Sequence, residues 1–106
     1  MAPERADDLN RALELAKRLE SSEEPALRDT LAWLYYLTGD LGKAVPLQTQ
    51  AVEKSPQTPI FRYHLGMMYA KQGDTAKAKE HLGKALEGKA DFVGIEEART
   101  TLKGLN

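Results

Sequence analysis

The stretch LAWLYYLTGDLGKA, Leu31 to Ala44, returns as LGMMYAKQGDTAKA, Leu65 to Ala78. The offset of 34 residues is kept without a gap by ten identical pairs: Pro25/Pro59, Arg28/Arg62, Leu31/Leu65, Tyr35/Tyr69, Gly39/Gly73, Asp40/Asp74, Lys43/Lys77, Ala44/Ala78, Ala51/Ala85 and Glu53/Glu87. A fixed period of this length marks a chain built from stacked supersecondary units, each too small to bury its own apolar face. The fold class implied is all-α, an antiparallel helix-pair solenoid of about five helices.

Helix signals agree with that period. Pro25 and Pro59 suit a first helical turn, where the missing N–H costs nothing. Gly39 and Gly73 can take the left-handed conformation that ends a helix, and Asp40 and Asp74 can cap the next one. The first copy therefore reads as helices over about 25–38 and 41–54, and the second as helices over about 59–72 and 75–87. Thr58 is placed to cap the helix opened by Pro59. Pro46 falls inside its helix, removes one backbone hydrogen bond and predicts a bend. Residues 4–20 carry Leu9, Ala12, Leu13, Ala16 and Leu19 at helical spacing. They read as a half-repeat: a second helix without its first, packing on the repeat C-terminal to it. GKADFVG is a loop, and residues 94–104, with Ile95, Ala98 and Leu102 on one face, read as a terminal cap. The 106 residues thus form one domain: packing helix 4–20, repeats 25–58 and 59–92, cap 94–104.

The spacing resembles the tetratricopeptide repeat family. Its pattern has a large residue beside a small one, an aromatic, a Gly-Asp type turn and two alanines seven apart. Here these are Leu31-Ala32, Tyr35, Gly39-Asp40, Ala44 and Ala51, then Leu65-Gly66, Tyr69, Gly73-Asp74, Ala78 and Ala85, with Pro56 as the closing proline. The chain departs from the pattern twice. Arg28 and Arg62 replace the early aromatic. Gln48 stands between the alanines of the first copy where the second has Leu82. A narrower similarity joins the wording WLYY…GD…KAVPL, RYHLGM and EEAR to the C-terminal repeats of bacterial proteins tied to exopolysaccharide export.

The resemblance implies a right-handed superhelix whose concave groove is lined by the first helix of each repeat. Its groove positions are Ala26, Asp29, Thr30, Trp33, Tyr36 and Leu37 in the first copy. In the second they are Ile60, Tyr63, His64, Met67, Ala70 and Lys71. Aromatic and Met side chains in a cleft suit a peptide site, although Trp33 and Tyr36 can equally pack against the N-terminal helix or a neighbouring repeat. The Lys, Asn and Arg that clamp a carboxylate terminus in some family members are replaced by Asp29, Trp33, His64 and Ile60.

Other chemistry finds little footing. Net charge is −1, without the basic stripe of a nucleic-acid binder or a polybasic membrane anchor. No run of about 18 apolar residues occurs, and there is no cysteine. His64 and His81 lack metal-ligand spacing; His64 suits a hydrogen bond to a partner in the groove, and His81 reads as solvated. Glu23-Glu24 and Glu96-Glu97 fall at helix N-termini, where they complement the helix dipole. Lys77, Lys79 and Lys84 alternate with Glu80 and Glu87 on an outer face. No metal, cofactor or catalytic set is expected. The chain reads as a soluble non-enzyme, cytoplasmic or, within a longer secreted chain, periplasmic. It binds a peptide or protein segment, or serves as a structural piece of a longer array that self-associates or meets neighbouring repeats through its terminal helices.

Overall fold

A computed structural model describes residues 3–18, 20–88 and 91–105. Among these there are six helices and no strand: α1 (Pro3–Lys17), α2 (Pro25–Leu37), α3 (Leu41–Lys54), α4 (Pro59–Gln72), α5 (Thr75–Glu87) and α6 (Ile95–Gly104). The six helices are the six segments read as helical from the sequence, which the figure of about five undercounts. Each helix packs on the next, and α2 also touches α4 as α4 touches α6. Those contacts between alternate helices are what stacked helix pairs produce.

The turns are local chemistry written twice. Gly39 has φ +92° and Gly73 +86°, and the Asp40 and Asp74 N–H groups donate back to Tyr35 O (2.8 Å) and Tyr69 O (2.9 Å). The same aspartates then accept from the backbone N–H of Lys43 and Lys77, each at 3.2 Å. The repeated lysines have a second use: Lys43 Nζ lies 5.4 Å from the Tyr35 ring centroid and Lys77 Nζ 5.3 Å from that of Tyr69. Lys77 is thus placed over a ring as well as in solvent.

Other expectations are corrected. Thr58 occupies the N-cap of α4 but makes no side-chain capping bond; its carbonyl accepts from Phe61 N and Arg62 N instead. As the sequence reading has it, α3 is a single helix from Leu41 to Lys54 with Pro46 inside it. α1 ends at Lys17 in tight turns, Arg18 N to Leu15 O and Glu20 N to Lys17 O, and Leu19 lies outside the described residues. Lys89 and Ala90 of the GKADFVG loop also lie outside them.

Small residues set the core's dimensions. Ala32, Ala44, Ala51, Ala78, Ala85 and Ala98 are all buried, interleaved with Leu31, Tyr35, Leu65, Met68 and Leu82. At Gly66 an added Cβ would stand 2.7 Å from Leu82 Cγ. In the first copy Ala32 takes the glycine's place and Gln48 the leucine's. The two copies thus solve one close helix approach with different pairs.

His81 is half-buried rather than solvated. Its Nδ1 is 3.1 Å from Arg62 Nη1, and its ring stacks on Tyr69 at 5.6 Å. Arg62, at the position where the family pattern has an aromatic, also donates from Nε to Pro56 O at 3.2 Å. Burial, aided by Arg62, Lys84 and Lys77 and opposed by Glu80, holds the imidazole below its ordinary 6.5. The folded state therefore binds this proton less readily than the unfolded chain. His81's contribution is complete above about 6.5 and is lost as pH falls through the lower folded value. Urea midpoints measured at about pH 7.5 and about pH 5.5 should differ less in His81→Gln than in the parent chain.

Candidate functional site

α2 and α4 carry the groove positions side by side, and Trp33 is at their centre. Its ring stacks on His64 with centroids 3.9 Å apart and on Tyr36 at 4.5 Å, and meets Tyr63 at 5.8 Å. Tyr63 continues the row to Phe92 at 5.5 Å and donates its hydroxyl to Glu97 Oε2 at 3.3 Å. Burial first, and then the Glu97 carboxylate, push the Tyr63 phenol up to about 12. It therefore stays a hydrogen-bond donor throughout the physiological range. The same two causes raise Tyr36.

The sequence-assigned positions divide by exposure. Asp29, Tyr63, His64 and Met67 are buried; Trp33, Tyr36, Ile60 and Ala70 are partly buried; Ala26, Thr30, Leu37 and Lys71 are exposed. Phe92 and α6 cover much of the second copy's share, since Phe92, Leu102 and Leu105 pack against Tyr63, Met67 and Ala98. The open part of the face is consequently the Thr30, Trp33, Tyr36, Leu37 and Lys71 side.

Beneath this row lies a polar knot. Asp29 Oδ1 is 2.6 Å from His64 Nδ1 and accepts from Gln48 Nε2 at 2.7 Å. Gln48, with no exposed surface, also donates to Phe61 O at 3.0 Å, and its own Oε1 is unpaired. His64 Nδ1 is thus engaged from within the chain. Sequence reading placed Asp29 and His64 on the face and noted Gln48 as a departure, but nothing local joins residues 19 and 35 positions apart. Glu97 and Phe92 were missed for the same reason: one reads as a helix-dipole residue and the other as loop.

Among the described residues, no group of three or more His, Cys, Asp or Glu side chains is arranged to hold a metal ion. No described helix is long and apolar enough to cross a membrane.

Comparison with known proteins agrees with the repeat. Residues 61–91 match the family profile of the tetratricopeptide repeat. A stretch of 56 residues, 53% of the chain, is 41% identical to the BBSome complex member BBS4 of Bos taurus and covers 11% of that protein. The matched stretch therefore spans only about a tenth of the relative's length. With the 34-residue frame and the packed helix pairs, the profile match supports a tetratricopeptide repeat at residues 61–91.

Proposed function

We propose that the chain is a non-catalytic scaffold that binds a peptide or protein segment on the face formed by the first helix of each repeat, α2 and α4. Repeats of this family serve protein–protein interaction. The observation that carries the finer reading is the half-buried Trp33–Tyr36 stack, bordered by exposed Thr30, Leu37 and Lys71. Rigid aromatic rings with a polar rim are what interface hot spots are made of.

The test must avoid the buried members. Tyr63→Ala would unseat Trp33 and Phe92 and cost about 3–5 kcal/mol of stability, which would confuse folding with binding. Leu37→Asp combined with Lys71→Glu changes only exposed positions. This pair should abolish capture of the partner, identified by mass spectrometry from the source cell, while leaving the helical circular dichroism intact. Lys79→Glu, on an exposed position of α5, should leave capture intact. Undiminished capture by the Leu37/Lys71 variant would overturn this assignment of the face.

A second reading is a structural segment of a longer array, in an assembly such as the bacterial polysaccharide-export systems suggested by the sequence. It is favoured by α1, whose Leu15 is exposed beside Arg11, Glu14 and Arg18. That the bovine relative is named as a complex member agrees with it. Concentration-dependent association in analytical ultracentrifugation, abolished by Leu15→Glu, is the expected result; a strictly monomeric chain opposes it.

A further inference from the structure

Gln48 has no exposed surface, and neither does Leu82, the residue 34 positions later. An amide buried in place of a leucine is costly unless it is hydrogen-bonded. Its partners are Asp29 Oδ1 and Phe61 O, and Asp29 Oδ1 is shared with His64 Nδ1. The same three positions one repeat later hold Tyr63, Leu82 and Ala98, all buried in one apolar cluster. The chain therefore builds the same junction between stacked units twice, once polar and once apolar. Replacing a buried charged set by hydrocarbon of similar volume is often neutral or stabilising, so packing alone does not call for Asp29, Gln48 and His64.

Their geometry supplies another role. As a carboxylate Asp29 offers only lone pairs. With His64 a neutral imidazole, the proton in its contact with Asp29 resides on Nδ1. That leaves Nε2, which makes no hydrogen bond among the described residues, as a bare acceptor. The ring lies against Trp33, and 7% of His64 remains open to solvent. Gln48 holds the carboxylate from α3 and ties it to α4 through the Phe61 carbonyl.

We infer that Asp29 and Gln48 are positioning residues for the proposed groove, holding His64 as its Nδ1–H tautomer against Trp33 so that Nε2 accepts a hydrogen bond from the bound segment. This inference rests on the groove reading and narrows its ligand: an aromatic or apolar side chain accompanied by an N–H or O–H donor.

Long-range proton–nitrogen NMR reads the tautomer directly. His64 should show protonated Nδ1 and bare Nε2 in the parent chain. In Asp29→Leu it should lose that fixed pattern, with the His81 signals unchanged. Phenol and anisole, aromatic probes that differ in their donor, are titrated against the indole signal of Trp33, the chain's one tryptophan. The parent should bind phenol about fivefold more tightly, the value of roughly one hydrogen bond. Should Asp29→Leu fold poorly, the triple variant Asp29→Tyr/Gln48→Leu/His64→Ala copies the chain's own apolar junction. It should fold and bind both probes equally. Equal binding by the parent, or a His64 that carries a proton on Nε2, overturns the inference and leaves the groove standing. A Trp33 signal moved by neither probe overturns the groove reading itself, and the inference with it.

Discussion

Gly94→Val should lower the melting temperature by about 10 °C or more. Gly94 is the N-cap of α6 and has φ +99°, a conformation costing an L-residue about 1–2 kcal/mol. An added Cβ would also stand 2.6 Å from two atoms of the Tyr63 ring and 2.7 Å from its hydroxyl oxygen. Tyr63 has little room to give way, being 3% exposed and set between Trp33 and Phe92. Overpacking of this kind adds about 1–3 kcal/mol. Gly73→Ala isolates the backbone share, since Gly73 also has positive φ but nothing lies within 4 Å of its added Cβ. Thermal circular dichroism should therefore show a much smaller shift for Gly73→Ala than for Gly94→Val. Similar shifts would mean that α6 is not seated on Tyr63.

Ala78→Leu comes next, and its comparison with Ala76→Leu tests the register of the repeat. Ala78 is fully buried in α5, at the position where the helices of the second pair approach. Three added carbons there have no void to occupy and should cost about 1–3 kcal/mol. Ala76, two residues earlier on the same helix, is exposed, and leucine there should change stability by no more than about 0.5 kcal/mol. In urea titrations, Ala78→Leu should shift the midpoint well below that of Ala76→Leu with the slope unchanged. Equal midpoints would place the alanine seam on another face of α5 and displace every groove assignment with it.

Both results bear on how far the chain can be read without its structure. The starts of α2 and α4 at Pro25 and Pro59, the ends of α3 and α5 at Lys54 and Glu87, and the turns at Gly39-Asp40 and Gly73-Asp74 are legible because each depends on a few neighbouring residues. The alanine seam is legible because it recurs. The groove positions are a different case. Tyr63 and Met67 are buried in part because Phe92, Leu102 and Leu105 pack against their cluster, and the loop that carries Phe92 has no local mark of where it will land. His81 reads as solvated until Arg62 is brought from α4 to meet it.

The sequence by itself thus determined the helices, their order and the spacing at which they stack, since caps, prolines and small residues act over one turn or repeat every 34 positions. Only the tertiary structure decided which side chains of the shared face remain open, and that Asp29, Gln48 and His64 meet. Those outcomes depend on contacts between residues 19 to 35 positions apart on four helices, where distance and desolvation, rather than local propensity, set the result.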